Sequence, residues 1–374
     1  MEFTIRQEVM LKAIADVGKA VSASSVHPII TGIKISAGQK GLTLISSDFD
    51  IFISRFINQT IEALEIVEIG EIIVPFKHFS ELFKRLPNGN VWIKSDGLSI
   101  VLKAGEIEVK WKGMNAGDFP ELPEMDPDYS VSLEEKVLAR LFKQTKFAVA
   151  NQIRNPVLAG VNLIFKDGFL YCAATNSHRL ALKKIKINEQ QIEGSYIIPG
   201  TSVHELLKLL GREDRMIIIH ISQQYIRFEA GGLMVYTRLI SGRFPDVHQL
   251  VPDHPETEIA LNAKLLLRGI ERSYFLSSDS HNHNVKLEVQ GPSSLMLSAA
   301  GPQLGEIIEK QPLLGSSGIC RLKITMDGKY LLDALKEIEE ENVKFCFYGN
   351  LKPIVIRPLE NDTYLHVISQ VRDY

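Results

Sequence analysis

The chain has 374 residues, 45% of them hydrophobic and 23% charged, with a formal net charge of -3 and a pI near 6.4. That length is too great for one comfortable core and fits two or three domains of an ordinary globular protein. Apolar runs such as "RMIIIHI" are strand-sized and exclude a membrane-spanning helix, and the slight acidity excludes a global pull toward nucleic acid while leaving a local one open.

In chain order, "FTIRQEVMLKAIADVGKAV" reads as a strand followed by an amphipathic helix within Arg6–Ser22. "HPIITGIKISAGQKGLTLISSDFDIFISRF", His27 to Phe56, reads Pro, two aliphatics, a small residue, Gly, and then three strands separated by turns. "IIVPFKHFSELFKRLP" starts a second strand–helix unit, with Phe79, Leu82, Phe83 and Leu86 at helical spacing in Phe76–Leu86. After "AGDFPEL" and the Pro-rich "FPELPEMDPDY", the cycle begins again. "VSLEEKVLARLFKQTKFAV" supplies a strand and a helix within Leu133–Ala150, and "NPVLAGVNLIFKDGFLYCAATNSHRLALKK" repeats the His27–Phe56 pattern with its Pro 128 positions later. "YIIPGTSVHELLKLLG" gives the next strand and helix, Gly200–Leu210, and "SGRFPDV" echoes "AGDFPEL" 125 positions on. Past "VPDHPETE" a third cycle follows: "IALNAKLLLRGIERSYFL" with its helix in Asn262–Leu276, the weaker repeat "HNHNVKLEVQGPSSLMLSAAGPQLGEIIEK", and "LKITMDGKYLLDALKEI" with its helix in Asp327–Ile338. The chain is therefore expected to be α+β, with six strand–helix–strands repeats paired into three domains at 1–126, 127–252 and 253–374.

Charge is unevenly placed. The six expected helices hold sixteen Lys or Arg against ten Asp or Glu, a net +6 that leaves -9 for the remainder. Lys136, Arg140 and Lys143 fall at i, i+4 and i+7, with Val137, Leu141 and Ala148 on a face that can be buried. Lys264, Arg268 and Arg272 form a second stripe, with Leu266, Ile270 and Tyr274 on another face, and Lys77 and Lys84 lie seven apart on a third helix. One such stripe is usually no more than a solvated face; its recurrence suits sequence-independent contact with phosphates.

Catalytic and metal signatures are missing. No phosphate-binding loop, G-x-S-x-G elbow or H-E-x-x-H helix occurs, and "HELLK" lacks the second His. "SHNHN" reads as a polar turn, and Asp48 and Asp50 as solvated carboxylates. Cys172, Cys320 and Cys346 are odd in number and widely spaced, which points to reduced thiols in a cytoplasmic protein. "MEFTIRQEVM" has no apolar core flanked by basic residues, so no secretory leader is expected. No enzyme activity, cofactor or metal is expected.

The three-fold repeat, "TNSHRLAL", "GRFPD" and the terminal "VISQVRDY" together resemble the bacterial sliding clamps, the beta subunit of DNA polymerase III, over the whole chain and nearest the Gram-positive members. The resemblance implies a head-to-tail homodimer closing a ring, helices inside around double-stranded DNA and sheets outside. It implies a dimer contact between the first domain of one chain and the third of the other. It implies partners that carry short clamp-binding peptides: the replicative polymerase subunit, the clamp loader, repair polymerases and mismatch-repair proteins. Carried over, Leu158, Thr175, Ser177, His178, Arg179, Leu180, Pro245, Leu250, Val367, Val371 and Arg372 line the peptide pocket. Lys77, Lys84, Lys136, Arg140, Lys143, Gln152, Arg154, Lys264, Arg268 and Arg272 face DNA. The chain departs from the family pattern at Asn176, where Asp is usual, and at Gln370, where Pro is common. It also departs at Ser24 and at Gly200-Thr201, where relatives often place basic residues. Three alternatives stay open: a divergent second clamp, a scaffold that keeps the pocket without encircling DNA, and a DNA-modifying enzyme built on α+β repeats.

Overall fold

The computed structural model describes all residues except 23–25, 60–63, 152–154, 188–191, 212, 278–282, 319–320, 350 and 372–374, together with the side chain of His248. Six α-helices occur among the described residues: α1 Gln7–Val17, α2 Phe76–Phe83, α3 Glu135–Lys146, α4 Gly200–Leu207, α5 Ala263–Leu276 and α6 Gly328–Lys336. Each follows directly on a strand, as the repeat pattern requires. Most are shorter than the apolar periodicity predicts. Leu133, placed in a helix by that periodicity, belongs to the strand Tyr129–Glu134 and pairs with Ile217. Side-chain caps set two of the starts: Asn262 accepts from the Leu265 amide at 3.0 Å, and Asp327 from those of Lys329 and Tyr330 at 2.8 and 3.2 Å.

Contacts divide the chain into two compact units, residues 1–139 with 201–239, and residues 140–200 with 240–374. The first unit holds a five-stranded sheet in the order 64–68, 2–6, 90–96, 99–104, 107–112. It also holds an eight-stranded sheet, 129–134, 216–221, 225–230, 233–238, 51–58, 41–47, 32–38, 70–75. In the latter, Leu233–Arg238 pairs antiparallel with Ile51–Asn58, so strands of the first and fourth repeats share one sheet. Buried Glu135 meets Arg215, which also meets Glu213 at 3.1 Å, and Glu213 holds Lys12 of α1 at 3.1 Å.

The second unit holds a nine-stranded sheet, 194–199, 160–166, 169–175, 179–186, 364–368, 354–358, 342–347, 257–262, 315–318, and a four-stranded sheet, 305–312, 294–301, 284–290, 321–327. Its largest core packs Leu266 and Ile270 of α5 and Leu331 and Leu335 of α6 with strand residues such as Leu287, Leu297 and Phe345. The expected inner face of α5 is seen: Leu266 and Ile270 are buried and Tyr274 packs against them. Cys172 and Cys346 are buried free thiols, and burial pushes them up to about 12 and about 11. Cys320 lies outside the described residues. No helix among the described residues is long and apolar enough to cross a membrane.

The Gly that closes each "P-x-x-x-G" repeat has a steric reason. A Cβ on Gly32 would sit 2.6 Å from Ile73 Cγ2 and 2.8 Å from the Val74 carbonyl. On Gly160 it would sit 2.5 Å from Ile197 Cγ2 and 2.7 Å from the Ile198 carbonyl. Gly160→Ala is therefore expected to cost about 1–3 kcal/mol of stability through overpacking, read from the urea midpoint.

His366 is buried between Phe147 and Tyr364, with ring centroids 5.3 and 4.5 Å away, and neither ring nitrogen has a hydrogen-bond partner. Burial first, then the Arg179 charge, push it from 6.5 down to about 3. Below about pH 6.5 the unfolded chain takes up a proton that the folded chain refuses. The stability present above that pH therefore drains as pH falls toward 3, by up to about 1.4 kcal/mol per pH unit. His366→Phe, which keeps a ring in place, is expected to flatten the acid limb of a curve of urea midpoint against pH.

Candidate functional site

The segment Thr175–Arg179 is a tight turn between the strands Phe169–Thr175 and Arg179–Lys186. Asn176 Oδ1 accepts from the His178 and Arg179 amides, both at 3.1 Å. Thr175 Oγ1 donates to the Arg179 carbonyl at 2.7 Å and accepts from the Ser177 amide at 3.3 Å. Ser177 sits at φ 75°, which Asx turns favour. The first unit carries the same device. Asp48 Oδ1 accepts from the Asp50 and Ile51 amides at 3.1 and 2.9 Å, the Phe49 amide donates to Ser47 Oγ at 2.9 Å, and Phe49 has φ 79°. One side-chain oxygen does this work, and Asn176 supplies it with the geometry that Asp48 has in the first unit.

Under the turn lies an apolar cluster. Leu158, Leu180 and Val367, expected together, are together, and Leu180 pairs with Val367 across adjacent strands. Phe244, Val247 and Tyr348 complete it. Sequence reasoning passed over these three, although Phe244 and Val247 stand inside the quoted "GRFPDV". Ser177 and His178 are exposed at the turn, and Thr175 is buried beneath it. Pro245 is half-buried beside Phe244, and Leu250 is 41% exposed. Val371 is half-buried, and its amide donates to the Thr325 carbonyl at 2.8 Å, so its backbone is held to a different strand from the one bearing Leu180. Gln370 fixes the neighbouring loop: its Nε2 donates to the Gly349 and Lys352 carbonyls at 3.1 and 2.7 Å. Arg372 lies outside the described residues.

Arg179 requires a correction. Its guanidinium does not join the Leu180 cluster, because alternation along the strand sends it to the opposite face. There it donates to Asp333 Oδ2 at 2.8 Å and to the Phe147 carbonyl at 2.5 Å, and it stacks 4.5 Å from the Tyr330 ring centroid. Its side chain is 10% exposed. Arg179 is thus a positioning residue that ties the turn to α6 and to the end of α3.

The basic residues of the helices are exposed, but several are already engaged. Lys136 meets Asp214 at 2.5 Å. Arg140 meets Glu339 at 2.9 Å and Glu340 at 3.8 Å, and Lys143 meets Glu337 at 3.8 Å. Arg272 holds Glu309 through two hydrogen bonds of 2.9 and 2.7 Å, and Lys84 holds Glu81 at 2.7 Å. Lys77, Lys264 and Arg268 are exposed with no ion pair among the described residues. The helix net of +6 overstated the free positive charge, because it left out carboxylates beyond the helices: Asp214, Glu339 and Glu340 on connections and Glu309 on a strand. Gln152 and Arg154 lie outside the described residues, as does Ser24.

Comparisons with known proteins agree along the whole chain. Three family models match in tandem: DNA polymerase III beta subunit, N-terminal domain at residues 1–123, central domain at 132–246 and C-terminal domain at 248–372. The chain is similar to the beta sliding clamps of Bacillus subtilis, 34% identical, and Halalkalibacterium halodurans, 33% identical, each covered fully in both directions. Its structure is similar to the crystal structure of the Bacillus subtilis DNA polymerase sliding clamp, TM-score 0.96 at 34% identity. It is also similar to that of the DNA polymerase III beta chain of Streptococcus pneumoniae, TM-score 0.95 at 29% identity, with both chains of each pair fully covered. Three tandem matches, full-length relatives and the repeated α+β architecture carry one conclusion: the chain belongs to the DNA polymerase III beta subunit family, the bacterial sliding clamps.

Proposed function

We propose that this chain acts as a head-to-tail homodimeric ring around double-stranded DNA, with domains at 1–126, 127–252 and 253–374, and that it tethers the replicative polymerase in the cytoplasm as a non-catalytic processivity factor. The observation that carries the reading is the division of labour across the strand Arg179–Lys186. One face adds Leu180 and Leu182 to an apolar cluster bordered by an exposed polar turn, and the other meets Phe147, at the end of α3, and Asp333 of α6. Aliphatic walls with a few orienting polar groups suit the Leu and Phe of a short peptide. Exposed Lys and Arg on helices suit phosphates, which they contact without reading sequence. The pocket comprises Leu158, Thr175, Ser177, His178, Leu180, Pro245, Leu250 and Val367, with Val371 and Arg372 contributed by the C-terminal segment. The DNA-facing set is Lys77, Lys84, Lys136, Arg140, Lys143, Gln152, Arg154, Lys264, Arg268 and Arg272. The clamp loader, repair polymerases and mismatch-repair proteins compete for the same pocket.

Two free sheet edges support the dimer. Ile107–Lys112 ends the five-stranded sheet and Gly305–Pro312 ends the four-stranded sheet. Unpaired edges with exposed apolar side chains call for cover. Ile107 is exposed on the first, Ile308 is 62% exposed on the second, and Phe275 of α5 is 67% exposed. Pairing the first edge of one chain with the second edge of its partner, twice, closes a ring and covers both of these edges. Ile308→Asp is expected to turn the dimer into monomer, measured by sedimentation velocity; an unchanged dimer would place the contact elsewhere.

A fluorescently labelled Gln-Leu-x-Leu-Phe peptide is expected to bind saturably near micromolar Kd, about -8 kcal/mol. His178→Ala with Leu250→Asp, both at exposed positions, should weaken that binding about tenfold or more with the thermal midpoint unchanged. Failure of the peptide to bind at high protein concentration would instead favour a chain whose pocket serves other partners.

A further inference from the structure

The cations of α3 are met by carboxylates that the fold holds in place. Glu337, Glu339 and Glu340 stand at the end of α6 and in the connection that follows it. Gln144 of α3 donates to the Glu337 carbonyl at 3.0 Å, and Asn361 donates to Glu340 Oε1 at 3.2 Å. These anchors present the carboxylates to Arg140, 2.9 Å from Glu339 and 3.8 Å from Glu340, and to Lys143, 3.8 Å from Glu337. The ammonium of Lys183 lies over the Tyr364 ring, 5.3 Å from its centroid. On α5, by contrast, Lys264 and Arg268 have no such partner among the described residues.

We propose that Glu337, Glu339 and Glu340 act as internal phosphate mimics that hold Arg140 and Lys143, so that DNA engages α3 only by exchanging with them. The proposal rests on the DNA-encircling reading and adds the residues that set how weakly the helix grips. Arg140, Lys143 and Glu339 are solvent-exposed while Glu337 and Glu340 are half-buried. An exposed pair such as Arg140–Glu339 contributes roughly 0–1 kcal/mol, so a phosphate displaces it at small cost and gains little. Each displaced carboxylate also remains close enough to repel the incoming phosphate. Exchange of one exposed ion pair for another leaves every register along the duplex nearly equal in energy, which is what sliding needs. Lys264 and Arg268 of α5, with no exchange to make, carry the larger share of the salt-dependent attraction.

The test is equilibrium binding of full-length protein to a labelled linear duplex, by anisotropy, across a salt series. Glu339→Gln/Glu340→Gln, an isosteric change, is expected to raise affinity about three- to tenfold at the lowest salt. It should also steepen the slope of log K against log salt by up to about one, the value for one newly freed cation. A charge-matched variant, Glu121→Gln/Glu124→Gln, reports the effect of net charge alone and should give a smaller gain. Adding Arg140→Gln to the double variant should abolish the gain. The proposal is overturned if the two charge-matched variants gain equally, if the gain survives Arg140→Gln, or if Glu339→Gln/Glu340→Gln changes nothing while Lys264→Glu/Arg268→Glu loses binding. In that last case the DNA-encircling reading stands. If neither set of variants alters binding, the DNA reading falls and the proposal falls with it.

Discussion

The alternation of the strand Arg179–Lys186 is the constraint on which the second unit depends. The strand lies inside the nine-stranded sheet, paired on one side with Phe169–Thr175 and on the other with Tyr364–Ile368. Its side chains alternate between two very different environments. Leu180 and Leu182 enter an apolar cluster, while Arg179 and Lys183 lie against rings and carbonyls on the helix side. A slip of one residue would exchange the two sets and drive a guanidinium into an aliphatic core. The Asx turn formed by Asn176 fixes where the strand begins, and so fixes which residues the pocket receives.

The same turn occurs twice, and the comparison separates what duplication kept from what it changed. Asp48 and Asn176 bond the same two following amides, and each is followed by a non-glycine residue at positive φ. The strand after each turn pairs with a strand three repeats further along the chain: Phe52 opposes Tyr236 in the first unit, and Leu180 opposes Val367 in the second. The backbone device is common to both. The side chains at the pairing position are aromatic in one and smaller aliphatics in the other, and smaller aliphatics leave more room for an inserted peptide side chain.

Much of this was legible in the residues. The spacing of Pro28 and Pro156 located equivalent strands, and six strand–helix units occur in the order that apolar periodicity put them, within two residues at each helix start. Leu158, Leu180 and Val367 do share one cluster. Arg179 misled because a family motif records that a residue is present and not the face of the strand on which it lies; strict alternation from Leu180 would have placed it opposite. Glu339 and Glu340 escaped because they follow a helix that the charge count ended at Ile338, and the pairing of all three, Glu337 included, escaped because ion pairs between segments some 200 positions apart leave no local pattern. Helix C-termini were overrun because apolar spacing runs on into the turns and 3-10 segments that follow, as at Gly18–Ala20.

Arg179 and Arg140 show how one kind of contact does two jobs in one unit. Both are arginines facing carboxylates at 2.8–2.9 Å, Asp333 in one case and Glu339 in the other. Arg179 is nearly out of water, stacked on Tyr330 and bonded to a carbonyl, and losing one partner of such a pair costs about 3–5 kcal/mol. It serves as a fixed joint beneath the peptide turn. Arg140 and Glu339 are each about half exposed, at 44% and 53%, where solvent and salt compete for both charges. It serves as a contact that is easily given up. Burial, rather than the identity of the charged groups, decides which pair holds the turn in place and which lets a phosphate pass.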